Sequence, residues 1–253
     1  MPTDSLTMRV TEYIFDYIRD NHLSTGESVP SELRTSNDLN ISRGIVREAF
    51  RSLEVAGIIE KENGRPPRVG VLNSYFLTHL MLHALSTKQI SVSQVLELRV
   101  SIEVQAAQTA ARRRKQTDIQ SLRAAVAGMK KSSEDPESFV RYDLDFHSAL
   151  NAATHNPLAE VICGAMHECM RESMYLGILI RRGKREFLRV AESHNLIVDA
   201  IEKGSASRAG ALMKKHFDEA KDAFHKDEAK PQLLKDEAKP RLLKQERRIR
   251  PAH

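Results

Sequence analysis

Cysteine is scarce in this chain, with two residues in 253, Cys163 and Cys169. They stand six apart in a stretch of helical periodicity, which turns them to different faces, and neither belongs to a CxxC pair. That argues against a disulfide framework or a thiolate metal site and leaves two ordinary buried thiols. Long hydrophobic runs are also missing. None approaches the ~18 residues that a membrane helix needs, and MPTDSLTMRV lacks the basic and apolar regions of a secretory signal. The expectation is a cytoplasmic protein without a membrane partner. Two catalytic signatures are absent as well: no HExxH pair and no glycine-rich phosphate loop.

Positive charge is present but poorly placed to argue for nucleic acid by itself. The net charge is +5, yet from Lys221 onward ten Lys/Arg face six Asp/Glu, so most of the excess lies in the tail. The first 75 residues carry nine Lys/Arg against eleven Asp/Glu. Any case for DNA must therefore rest on local clustering. At 41% hydrophobic and 29% charged residues, the composition is that of a globular protein long enough for two modest domains.

Leu6, Val10, Ile14, Tyr17 and Ile18 recur at helical spacing, and TGESVPSE then makes a turn. Pro30, Ser31 and Glu32 open a short helix that stops near Asn40. Ser42 is an N-cap candidate for a helix over 44–55, closed by Gly57. IIEKENGRPPRVGV predicts two short strands around a turn at Asn63-Gly64. Beyond Asn73 strand signals disappear, and helical periods predict helices over 74–86, 92–113, 117–132, 136–153, 157–181, 185–203 and 205–224. In the tail, KDEAKPQLL at 226–234 repeats as KDEAKPRLL at 235–243, a unit too short for a solenoid. The predicted fold is mostly α. A winged helix-turn-helix domain covers 1–73, an all-helical bundle of about seven helices covers 74–225, and a charged tail covers 226–253.

The order helix, tight turn, helix, wing over residues 29–70 is what a major-groove reader needs. Arg43, Arg47 and Arg51 form one ridge at i, i+4 and i+8, opposite Ile45, Val46, Ala49, Phe50 and Leu53. Such a ridge can enter the groove and pair with guanine, with Ser42 and the helix N-terminus at a phosphate. Gly64, Arg65 and Arg68 make a basic wing tip.

SRGIVREAFRSLEVAGII with the following NGRPPRV resembles the winged helix of the GntR family of bacterial transcription regulators. The resemblance covers about 65 N-terminal residues. It implies that Ser42, Arg43, Gly44 and Arg47 face DNA and that Asn63, Gly64 and Arg65 form a minor-groove wing. One departure stands out. Where the family has Arg then Glu, this chain has Leu33 then Arg34, which displaces the arginine by about 100° around the helix. Arg34 is the candidate replacement. Thr35 stands where the family has Leu.

A second constellation lies in the helical half. YDLDFHSAL places Asp143 and His147 at i, i+4, on one helix face. SHNLIVDAI puts His194 among apolar residues of another predicted helix, and ALMKKHF puts His216 on the next. Three helices of a bundle can converge such ligands. One Asp and three His suit Zn²⁺ first, with Ni²⁺, Mn²⁺ or Fe²⁺ as alternatives. LELRVSIEVQAAQTAA, DLDFHSAL with Asn156-Pro157, SHNLIVDAIEKG and ALMKKHF resemble the FCD effector-binding domain of the FadR-like branch of the same family, over residues 75–224. That resemblance implies metal ligation by Asp143, His147, His194 and His216, and an effector carboxylate at Arg99, which could otherwise be a helix-face ion pair with Glu103. Asp145 is expected to point away. His79 and His83 lack a third ligand, His155 could line a pocket rim, and His167 is expected to pack or to sit exposed. Together these readings predict a homodimeric regulator of a palindromic DNA operator, most simply a repressor released by a small carboxylate bound beside the metal. The alternative is a metal-dependent hydrolytic enzyme built on the helical half.

Overall fold

The computed structural model describes residues 3–180 and 183–225. The repeated tail lies outside these residues. Packing divides the chain into two compact units, Met1–Leu80 and Met81–His253.

In the first unit, α1 (Thr3–Asp20) buries Val10 and Ile14, one turn apart. α2 (Glu32–Leu39) starts at Ser31, whose side chain accepts a hydrogen bond from the Arg34 backbone N–H at 3.2 Å. It stops at Asn40, which is left-handed with φ 53°. An Asn tolerates that conformation better than most residues. α3 (Arg43–Val55) follows almost at once and buries Val46, Ala49, Phe50 and Leu53. Gly57, with φ +74°, turns the chain into β1 (Ile59–Glu60). β1 pairs antiparallel with β2 (Arg68–Val69), Ile59 opposite Val69 and Glu60 opposite Arg68. The strands are shorter and the loop longer than the sequence suggested. Pro66 and Pro67 lack the N–H groups that would extend the ladder. On its other side β2 is met by the 26–29 segment: Val69 N–H donates to Glu27 C=O at 2.8 Å and Gly26 N–H to Val69 C=O at 2.8 Å. Val10, Ile14, Val29, Ile41, Phe50 and Ile59 share one core.

The helices beyond are α4 (Tyr75–Ser86), α5 (Val92–Arg113), α6 (Gln116–Lys131), α7 (Pro136–Ala152), α8 (Pro157–Ile180), α9 (Lys184–Glu202) and α10 (Ala206–His225). The division between the units falls inside α4, whose Met81 and Leu85 pack on the second core. Ser91 and Gln94 cap α5 reciprocally, and the Asp135 side chain accepts from the Glu137 and Ser138 backbones to start α7 at Pro136. α5 is the central helix. Its small buried residues Ala106, Ala107, Ala110 and Ala111 admit α7, α8, α9 and α10 around it, while α6 lies against α7 and α9. At Gly210 an added Cβ would lie 2.6 Å from the Gln108 side chain, so α10 approaches α5 closely there.

Candidate functional site

The first unit presents its cationic ridge outward. Arg43, Gly44, Arg47 and Arg51 of α3 are exposed, as is Ser42, which sits at the N-cap without a side-chain capping bond. The exposed start of α3 leaves a phosphate access to the helix N-terminus. Glu32 of α2 joins this surface. Its Oε1 accepts from Lys61 Nζ at 2.6 Å, and its Oε2 lies 3.7 Å from Arg47 Nε. It therefore ties α2 to the base of the wing and stands beside Arg47.

Asn63, Gly64 and Arg65 are exposed at the loop tip, where Gly64 has φ +76° and Arg65 Nη1 pairs with Glu62 at 2.5 Å. Arg34 is exposed but engaged: its Nε lies 3.5 Å from Asp38, and its guanidinium carbon is 5.6 Å from the centre of the Tyr17 ring. Tyr13 Oη donates to the same Asp38 at 2.6 Å. Partial burial and this bond push the phenol up to about 12. Arg34 thus points toward α1. Thr35 is buried with its hydroxyl unpartnered.

The second unit hides its chemistry. His147, His194 and His216 are all buried, and one ring nitrogen from each lies within 4.8 Å of the others. Among the described residues this is the one cluster of three or more such donors. The rings stand 5.5 Å (His147 and His194), 5.6 Å (His147 and His216) and 4.3 Å (His194 and His216) apart. Asp143 is beside them, with Oδ1 3.1 Å from His194 Nε2 and Oδ2 3.9 Å from His147 Nε2. Neither approach has hydrogen-bond geometry that satisfies the imidazole nitrogen, since His147 Nε2 and His194 Nε2 are both buried without a partner.

The other nitrogen of each ring is held. His194 Nδ1 donates to Val190 C=O at 2.8 Å, His147 Nδ1 bonds the Glu103 carboxylate, and His216 Nδ1 meets Ser193 Oγ at 3.3 Å. Ser193 Oγ itself donates to Val190 C=O at 2.7 Å, which leaves its oxygen to accept from His216. The bonds at Nδ1 place the proton there and leave the Nε2 lone pairs of His147 and His194 free. Burial lowers His147 to about 4 despite Glu103, and drives His216 well below the ordinary range, with His194 and His147 adding to the effect. Neutral imidazoles, as at His147 and His216, are what a divalent cation takes.

Arg99 and Glu103 are buried beside this cluster. Arg99 Nε donates to Glu103 Oε1 at 2.7 Å, Nη1 lies 3.3 Å from Met174 Sδ, and Nη2 is buried without a partner. The guanidinium stacks over Phe217 at 5.2 Å.

Comparison with known proteins gives this geometry a context. Residues 6–69 match the model of the bacterial regulatory proteins of the gntR family, and residues 94–219 match the FCD domain. The chain belongs to the GntR family of bacterial regulators. This regulator is 27% identical over 209 residues to the HTH-type transcriptional regulator LutR of Bacillus subtilis, covering 81% of this chain and 94% of the relative. It is 27% identical over 223 residues to the Glc operon transcriptional activator of Escherichia coli (85% and 87% of the two chains). It is 26% identical over 196 residues to the galactonate operon transcriptional repressor of the same species (74% and 83%). A solved structure, Streptococcus agalactiae GntR, shares the fold with a TM-score of 0.58 at 24% identity, over 83% of this chain and 96% of that one.

The regulator is thus a DNA-binding transcription factor with an FCD effector-binding domain, and the hydrolase alternative finds no support among these relatives. The residues singled out from the sequence fall into separate groups. His147, His194 and His216 converge with Asp143 at their edge, and Arg99 lies behind His147 through Glu103. Asp145 is exposed. No helix among the described residues is long and apolar enough to cross a membrane. His79 bonds the Tyr75 carbonyl on its own helix at 2.8 Å, and His155 lies at the surface 3.0 Å from Asp118. His167 is buried, its Nε2 2.7 Å from Glu103. Sequence reasoning gave Glu103 and His167 no part in the site. The Arg99–Glu103 spacing suits an exposed helix-face pair as well as a buried one, and nothing local marks His167 as inward.

Proposed function

We propose that this cytoplasmic regulator binds a palindromic operator as a homodimer and releases it when a small carboxylate enters the helical domain beside a bound divalent cation, Zn²⁺ foremost. The observation that carries the reading is the pair of buried, unpartnered Nε2 atoms on His147 and His194, each on a ring whose Nδ1 is already engaged. An unsatisfied buried acceptor costs about 1–3 kcal/mol, and the His147 and His194 atoms differ from the equally unpartnered His167 Nδ1 in belonging to rings whose nitrogens converge with that of His216. His147, His194, His216 and Asp143 would hold the ion, and the donor set fits borderline metals. When bound, the ion supplies a Lewis-acidic positive charge to an anionic ligand.

The chain's own residues do the rest. Arg99 Nη2 offers an unpartnered donor to a carboxylate in a dry setting, where charge-assisted bonds are strongest. Arg43 and Arg47 enter the major groove, with Ser42 and Gly44 at the backbone and Asn63, Gly64 and Arg65 at the wing. Release requires the ligand to favour one arrangement of the protein over the DNA-bound one. The galactonate named for one relative is a carboxylate, in keeping with this ligand class. That relative is a repressor and the Glc relative an activator, so the sign is itself part of the proposal.

The test is an operator selected from random duplex DNA and titrated with Zn²⁺-loaded protein. A two-fold symmetric site, and its release by hydroxy or sugar acids only when metal is loaded, is the expected result. Release that is indifferent to metal, or an asymmetric site bound by a monomer, would overturn it.

A further inference from the structure

Glu103 is fully buried and engaged at both carboxylate oxygens. One carboxylate oxygen accepts from Arg99 Nε at 2.7 Å and faces His167 Nε2 at 2.7 Å. The other bonds His147 Nδ1. Three donors thus reach one carboxylate from α5, α8 and α7, and all four side chains are buried. Burial alone would raise the carboxyl. The three donors around it offset that cost by charge and hydrogen bonding.

We infer that Glu103 is a positioning residue through which Arg99 and His147 act on each other, with His167 holding it in place. This rests on the metal reading above. Glu103 keeps the proton on His147 Nδ1 and points the Nε2 lone pair at the ion, the carboxylate–histidine arrangement that raises a ligand's basicity. The same carboxylate carries part of the charge of Arg99, whose Nη2 is still unpartnered. An anion that engages Arg99 draws the guanidinium's charge toward itself and leaves Glu103 to His147 and His167. His147 then becomes the better metal ligand. By linkage the ion must strengthen anion binding by the same factor. The Nδ1 of His167 is buried without a partner. Its Nε2 is spent on Glu103, which keeps the carboxylate from following Arg99.

The probes are Zn²⁺ affinity by chelator competition and the absorption spectrum of the Co²⁺ form, both on the full chain. The wild type should take up one ion per chain. Glu103→Gln should weaken Zn²⁺ by roughly 10- to 100-fold and alter the Co²⁺ bands while helix content is retained. Arg99→Met should tighten Zn²⁺ by about threefold or more, and by clearly less when Glu103 is already Gln. His167→Phe should weaken binding and His167→Gln restore it, because an amide can donate where the imidazole did. If Glu103→Gln does not fold, the two His167 variants and Arg99→Met carry the test. Wild-type affinity and spectrum in Glu103→Gln would overturn the bridge and leave the metal reading intact, as would equal effects of Arg99→Met in both backgrounds. A wild-type chain that binds neither ion would overturn both.

Discussion

The two units of this regulator differ in one respect: both expose charges, but the second also buries a set of them. In the first, Arg43, Arg47, Arg51 and Asn63 are outside, and Thr35 and Thr78 are the buried polar residues among those described. In the second, Arg99, Glu103, Asp143, His147, His167, His194 and His216 are inside. Exposed charges are screened and contribute little until a polyanion arrives to release its counterions. Buried charges must be satisfied by one another or by something that binds among them. The first unit should therefore respond to salt and DNA, and the second to metal and protons.

The largest expected effect lies in the second unit. His194→Ala should abolish stoichiometric metal uptake and the rise in melting temperature that Zn²⁺ confers, while operator binding by the metal-free protein persists. Metal analysis and calorimetry check this, and a fully loaded variant would remove His194 from the site. Next comes the packing of the first unit. Phe50 is fully buried in its small core, and Phe50→Ala should cost about 3–5 kcal/mol there. Resolved unfolding transitions should show the loss in one unit only.

Protons should separate the units as well. His147 is lowered from 6.5 to about 4 in the folded protein, so above 6.5 folded and unfolded states are both neutral. As the pH falls from 6.5 toward 4, the unfolded chain takes up the proton first. Stability of the metal-free second unit should then decline by about 1.4 kcal/mol per pH unit for that proton. His216, lowered likewise, adds in the same sense. Urea titrations across this range, with and without Zn²⁺, test the sign, and bound metal should be released as the same groups protonate. Stability that is flat over this range would show that neither imidazole is held neutral.

Smaller effects sharpen the contrast from the first unit's side. Arg47→Ala should weaken specific operator binding by about 1–3 kcal/mol without touching metal content, and unchanged affinity would deny it a base contact. Thr35→Val should stabilise by about 1 kcal/mol, because it removes an unpartnered buried hydroxyl at nearly constant volume. Chemical denaturation would detect this, and a loss would mean the hydroxyl is satisfied by water.

Much of this was readable beforehand. Asn40 and Gly57 ended their helices where left-handed backbone was needed, Asp135 and Pro136 opened α7, and the periodic apolar positions of α3 became its buried face. The four-residue step from Asp143 to His147 was enough to place both side chains on one face. Arg34 was harder to place. Its position on α2 was evident, but Tyr17 and Asp38 decide where its guanidinium goes, and Tyr17 is contributed by another helix.

What the sequence determined by itself was local: the order and ends of the helices, the outward arginine ridge, and the inward faces that carry His147, His194 and His216. These follow from backbone sterics and from the period of the apolar residues. What only the tertiary structure decided was which inward groups meet. Glu103 reaches Arg99 through one turn of its own helix, but it reaches His147 and His167 from 44 and 64 residues away. That three donors share one buried carboxylate, and that imidazole nitrogens of His147, His167 and His194 are left buried without partners, depends on how five helices pack. Side-chain satisfaction is a property of the packed core, and no spacing along one helix encodes it.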